Sequence, residues 1–241
     1  GDVYKRQNHV RLECGSICKI QSAENSAAAE LANALPAQGV ESIIDLGCGI
    51  GNSTAVLKNR FPQADIVGAD SSDDMLDFAR KNEPELEFIK LNVPDDIETL
   101  GRLMELVNPG GTLAVQIPQQ AKHPMHKLMP MVAQSGEWAE KIKYRRKYNC
   151  LTEEEYFDIL SDISSDFRLW ETTYFFKMPS HRSIVEWYKG TGMRPYLDGL
   201  SDEDKIKFEN DVLAEVEKLY PVQKNGEIIF RFPRLFFTAV K

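Results

Sequence analysis

The stretch Ile43-Ile44-Asp45-Leu46-Gly47-Cys48-Gly49-Ile50-Gly51-Asn52-Ser53 decides the fold. It opens as a short apolar run, the pattern of a buried strand. It passes into three glycines at alternate positions, then into a segment with helical spacing. Glycine has no side chain, so the backbone turns sharply there and a ligand lies against it. A glycine turn at the carboxyl end of a strand is the ligand crevice of doubly wound sheets. A dinucleotide loop needs G-x-G-x-x-G. Counted from Gly47, its third glycine falls at Asn52. The spacing here is G-x-G-x-G behind an acid, which disfavours a nicotinamide-dependent oxidoreductase. A bare βα turn with no ligand is the plainer reading, and three alternating glycines behind Asp45 argue against it.

Outward from this loop, strands and helices alternate. Ser22–Leu35 is Ala-rich with apolar residues at helical spacing, and Pro36 stops it. Ser42–Leu46 is predicted as a strand and Ser53–Arg60 as a helix, capped by Asn52 or Ser53. Asp65–Asp70 is the next strand, and Ser72 is placed to cap a helix over Asp73–Asn82. Phe88–Val93 is a third strand and Asp95–Val107 a third helix. Thr112–Ile117 is a fourth strand behind the turn Pro109-Gly110-Gly111. This order predicts a doubly wound α/β fold, a mostly parallel sheet with right-handed crossovers.

Past Pro118 the style changes, and residues 119–150 show no strong period. Thr152-Glu153-Glu154-Glu155 is a capping box opening a helix through Leu160. Phe167–Met178 reads as a strand, Ser180–Gly190 and Ser201–Tyr220 as helices, and Glu227–Val240 as a final strand. With no crossover of its own, that strand is predicted to pair antiparallel at the sheet edge. Residues 23–241 then make one domain with a helical lid over about 179–222. Residues 1–22 have no clean period and are set aside.

The formal net charge of −8 argues against a general nucleic-acid binder, which presents a basic face. The basic run Lys141–Lys147 reads as a solvated helix face. No stretch approaches the length of uninterrupted apolar sequence that a membrane span needs. Cys14, Cys18, Cys48 and Cys150 are too few and scattered for a disulfide framework, so a reducing, cytoplasmic setting is expected. His123 and His126 lie three apart with no further Glu or His beside them, so no metal is expected. A monomer acting on a small molecule fits these bounds.

The glycine loop behind Asp45 resembles the first motif of class I S-adenosylmethionine-dependent methyltransferases. That likeness implies S-adenosylmethionine as cofactor, with Asp45, Gly47, Gly49 and Gly51 around its methionine and ribose portions. It assigns Asp70 to the ribose hydroxyls, since a carboxylate there accepts two hydrogen bonds. Read alone, Asp70 is a helix cap. Ser71 follows it, and Met75 is implied to lie against the adenine, with helix packing as its plainer role. Asn92 stands where the family has an Asp accepting from the adenine amino group, and its amide oxygen accepts without charge.

Further stretches narrow the resemblance. Val107-Asn108-Pro109-Gly110-Gly111-Thr112-Leu113-Ala114-Val115-Gln116, Thr173 to His181, Trp187 to Leu197, Tyr220-Pro221 and Phe232 to Phe236 are similar to trans-aconitate methyltransferases. The likeness runs from Ser22 to the C-terminus. It implies methyl transfer to a carboxylate of a small tricarboxylic acid. An ionised carboxylate needs no base to act as nucleophile, so positioning replaces any catalytic residue. Cations must hold the spare carboxylates, a role implied for Arg194 and Arg234. Tyr174 and His181 would donate hydrogen bonds, and Trp187 would wall the pocket. Each has a plainer reading: a solvated or salt-bridged arginine, a core tryptophan.

One departure stands out. Between Val93 and Thr112 there is one helix and no strand. The family pattern needs about twenty more residues there, a strand and a helix. The gap falls near Leu100-Gly101-Arg102, and the strand lost is the central one beside the glycine-loop strand. Closure is expected, with Thr112–Ile117 pairing directly with Ser42–Leu46. Weak cofactor binding and slow turnover are expected with it. A non-catalytic small-molecule binding protein on the same fold is the alternative.

Overall fold

The computed structural model describes residues 25–93, 98–119, 122–144, 150–189 and 192–241. Segment 1–22, Cys14, Cys18 and the end of the basic run lie outside the described residues. Helix α1 (25–34) leads into β1 (Ser42–Leu46), α2 (Asn52–Arg60), β2 (Asp65–Asp70), α3 (Asp73–Asn82) and β3 (Glu87–Lys90). Then come α4 (Thr99–Leu106), β4 (Thr112–Pro118), α5 (Pro124–Ala133), α6 (Trp138–Lys141), α7 (Glu153–Ile163) and β5 (Phe167–Met178). Helices α8 (His181–Lys189), α9 (Arg194–Leu197) and α10 (Asp202–Leu219) precede β6 (Ile228–Val240).

The first half is a parallel sheet in the order β1-β2-β3. Ile43 and Ile66 pack with Ala32, Phe61 and Ala64 under α1 and α2. Phe88 packs with Cys48, Leu76 and Ala79 under α3. The Phe88 ring is why Gly68 has no side chain: a Cβ there would stand 2.6 Å from it. The opposite sheet face carries Ile44 and Ile89, still 54% and 37% exposed. Parallel sheets are ordinarily covered on both faces; among the described residues this one is packed by helices on one.

The second half is antiparallel, in the order β4-β6-β5. Helices α4 and α7 cover one face, joining Met104, Tyr156 and Leu160 to Leu113, Leu235, Phe237 and Ala239. The far ends of β5 and β6 carry the largest core, where α5, α6 and α8–α10 gather around Met178, Ile228 and Phe230. Local chemistry fixes these helices. Thr152 and Glu155 form the capping box of α7. Ser201 caps α10, with three acids in its first turn. Pro124 opens α5 behind the cap His123, whose Nδ1 accepts from the Met125 N–H.

Three expectations need correction. β4 does not close onto β1; it pairs with β6, and the sheet stays split between β1 and β4. Helix α4 packs beside α7 on the second sheet, so among the described residues it does not join the two edges. β6 is not an edge strand but the centre of its sheet. Leu235, Phe236, Phe237, Thr238 and Ala239 are all buried, the continuous burial of a central strand. Helix α2 is capped by neither Asn52 nor Ser53; Gly51 occupies the cap position without a side-chain bond. Helices α5, α6 and α9 were not legible; α4 is described from Thr99, and its expected start at Asp95 lies outside the described residues.

Candidate functional site

The loop after β1 is pinned to β2. The N–H groups of Gly47 and Cys48 both donate to the Ala69 carbonyl, at 2.8 and 3.0 Å, and Gly51 N–H donates to the Cys48 carbonyl at 3.0 Å. All three glycines have positive φ, 73°, 54° and 91° in order, a region that side chains disfavour. A Cβ at Gly51 would press on Phe88 at 3.0 Å, while Gly47 and Gly49 face space with no atom within 4 Å. Asn52 Nδ2 is buried beside this loop with no hydrogen-bond partner. An open cradle and an orphaned donor fit a ligand that carries acceptors.

Two acids flank the loop. Asp45 accepts from Ser53 Oγ and Thr54 Oγ1, both at 2.7 Å, and so ties the start of α2 to the end of β1. Burial raises its pKa against the pull of those hydroxyls, and Asp70 adds to the rise. Asp70 accepts from Gly49 N–H at 2.9 Å through one oxygen and from Ser72 N–H at 2.9 Å through the other. Each oxygen keeps a free lone pair. Ser72 Oγ in turn caps α3 at Met75 N–H. Burial first, then Asp45 and Asp70, push the Cys48 thiol up to about 11. It is therefore no nucleophile at neutral pH. Ser71 and Asn92 are exposed near this rim, and Met75 shows 44% of its surface on α3.

A second polar cluster forms where α1 meets the antiparallel sheet. Glu30 accepts from Trp170 Nε1 at 2.9 Å, Thr172 Oγ1 at 2.5 Å and Tyr174 OH at 2.5 Å. Arg234 is buried opposite Thr172 and donates to the Gln116 side chain. Burial and Glu30 raise the Tyr174 pKa, and the Arg234 charge opposes them.

The structure thus unites Asp45, Gly47, Gly49, Gly51 and Asp70 at one loop, and Tyr174 with Arg234 at another place. The other residues implied for substrate stand elsewhere. His181 Nε2 lies 2.7 Å from the Tyr220 carbonyl and links α8 to the end of α10. Trp187 is buried among Phe176, Phe230 and Phe232. Arg194 is exposed at the first position of α9. Sequence reasoning passed over Glu30, Gln116, Trp170 and Thr172. One signal was present: Trp170-x-Thr172-x-Tyr174 aligns three donors on one strand face, and Glu30 is the lone charge in an Ala-rich helix.

A profile of the family described as methyltransferase domain matches residues 43–111. Trans-aconitate 2-methyltransferase of Escherichia coli (strain K12 / DH10B) is 38% identical over 240 residues, covering 90% of this chain and 94% of its own length. The enzyme of that name from Shigella flexneri gives the same figures. Ninety per cent of 241 residues is about 217, so about 23 of the 240 aligned positions have no residue in this chain. Among solved structures, the YcgJ protein of Bacillus subtilis has a TM-score of 0.52 at 12% identity, covering 90% of this chain and 98% of that one. A geranyl diphosphate methyltransferase in complex with SAM has a TM-score of 0.50 at 13% identity, covering 98% and 93%. At that distance the likeness shows the fold, Rossmann-like and shared with methyltransferases. With 38% identity sustained across nine-tenths of its length, this chain belongs to the trans-aconitate 2-methyltransferase family.

Proposed function

We propose that the chain transfers a methyl group from S-adenosylmethionine to a carboxylate of a small tricarboxylic acid, trans-aconitate first among them, giving a methyl ester. When bound, S-adenosylmethionine supplies a methyl group on a sulfonium, ready for in-line displacement. The observation that carries the reading is the Gly49 N–H on the Asp70 carboxylate at 2.9 Å. It holds the bare loop against Asp70, the acid to which the resemblance assigns the ribose. The two lone pairs left on Asp70 suit the two ribose hydroxyls. Asp45 and Asp70 together give the loop a negative field that favours a cationic sulfonium. Asp45 acts through the loop, since Ser53 and Thr54 already hold its carboxylate. Gly47 and Gly49 leave the space, and Asn52 Nδ2 offers a donor. Met75 presents apolar surface to the adenine side. The acid's own carboxylate is the nucleophile, so the chain aligns it rather than deprotonating it.

The family and the loop favour this enzyme over a non-catalytic binding protein. The test is incubation of the full chain with methyl-labelled S-adenosylmethionine and trans-aconitate. Mass spectrometry is expected to show a labelled monomethyl ester. Absence of label in trans-aconitate and in related tricarboxylates overturns the proposal.

A further inference from the structure

Glu30 sits on α1 with both carboxylate oxygens accepting hydrogen bonds. Oε1 takes the Trp170 indole N–H and the Thr172 hydroxyl, and Oε2 takes the Tyr174 hydroxyl. Alternation along β5 sets these three donors on one face, with Arg168 two positions before them. One guanidinium stands at the start of the row and another beside its middle. Arg168 lies 5.4 Å from the Trp170 ring, and Arg234 stands opposite Thr172 on β6. A strip of neutral donors with cations beside it recognises a carboxylate. Burial works to raise the Glu30 pKa, but Thr172, Tyr174 and Trp170 together outweigh it and hold it low. Beside the Trp170 end of the strip an open surface groove is lined by Ser26, Asn33 and Arg168 along with Glu30 and Trp170.

We infer that Trp170, Thr172 and Tyr174 form a carboxylate-binding row, which Glu30 fills in this conformation and a carboxylate of the acidic substrate takes over. The inference deepens the carboxylate-methylating reading and rests on it for the substrate's identity. The exchange swaps one carboxylate for another, so the row keeps its hydrogen bonds and no covalent bond changes. It also removes a negative charge from beside an anionic ligand. Helix α1 stays anchored through Ala32, which packs with Phe61, Ala64 and Ile66 whatever Glu30 does. While Glu30 fills the row, the apparent affinity for an acid falls by the fraction of time the row is free.

The test uses the full chain without S-adenosylmethionine, titrated calorimetrically with tricarballylate, a saturated tricarboxylate. Glu30→Gln weakens the resident acceptor and is expected to tighten tricarballylate about tenfold. Adding Thr172→Val to Glu30→Gln is expected to loosen it again by about tenfold, since a donor to the ligand is lost. Glu30→Asp, which draws the carboxylate back by one methylene, is expected to tighten binding as well. Unchanged or weaker binding in folded Glu30→Gln overturns the inference, as does no binding to either protein. If neither Glu30 variant folds, Glu30 is a structural clasp and the inference is overturned. Ester formation, assayed separately, keeps the two readings apart. Tightening without any methylated acid defeats the proposed function alone; methylation without tightening defeats the row alone.

Discussion

Asp70 holds two backbone N–H groups and has two lone pairs to spare, so its charge matters most to whatever binds over the loop. Asp70→Asn converts charge-assisted hydrogen bonds to neutral ones. Affinity for S-adenosylhomocysteine is expected to fall about 10- to 100-fold in calorimetric titration, from a loss of about 1.5–3 kcal/mol. Asp45 is a different case, because its carboxyl is raised by burial. Its proton is held more tightly folded than unfolded. Stability from this group is therefore complete below the unfolded pKa near 3.8 and is lost as pH rises through the folded value. Asp45→Asn keeps an acceptor for Ser53 and Thr54 without the charge. It is expected to melt a few degrees higher than the parent at pH 7 and at the same temperature near pH 3, as thermal scans across pH would read.

Among the elements, α5 shows how a residue read as incidental acquires a role. The sequence marked His123 only as half of an incomplete metal pair. In the fold its Nδ1 accepts from Met125 N–H at 3.2 Å, and its ring lies among Tyr188, Phe230 and Phe232. Burial pushes its pKa down to about 4. The unfolded chain takes up a proton below about pH 6.5 that the folded chain refuses. Stability is therefore expected to fall between pH 6.5 and 4, by on the order of 3 kcal/mol. His123→Asn retains a capping acceptor and removes the titration. Urea unfolding at pH 7, 5 and 4 is expected to show a flatter acid limb for that variant. Elements with internal signals were legible: the glycine turn after β1, the Ser72 cap of α3, the capping box of α7. Helices α5, α6 and α9 were not, because their order comes from packing around Phe230 and Phe208 rather than from a clean period.

At the scale of the whole molecule the split sheet dominates. Among the described residues, β1 pairs only with β2 and β4 only with β6, while Ile44 on β1 stays 54% exposed. The relatives carry about 23 aligned positions that this chain lacks, the length of a strand and a helix. Inserting the relative's segment between Val93 and Leu106 is expected to cover Ile44 and Ile89. The melting temperature should rise by about 5 °C or more, since burying a large apolar side chain contributes roughly 1.5–3 kcal/mol. Affinity for S-adenosylhomocysteine should rise with it, and the unaltered chain is expected to bind more weakly than micromolar. An insertion that leaves both unchanged, by thermal scan and calorimetry, sinks this account. By itself the sequence determined the loop, the order of the strands and of the helices with clean signals, the absence of a segment and the family. It did so because glycine spacing, caps and apolar period are written in neighbouring residues. Only the tertiary structure decided that the gap stays open, that β6 lies at the centre of its sheet, and that Glu30 meets Trp170, Thr172 and Tyr174. Those outcomes depend on which surfaces meet in space across more than a hundred residues of chain, where burial and hydrogen-bond pairing choose between edges that look alike in sequence.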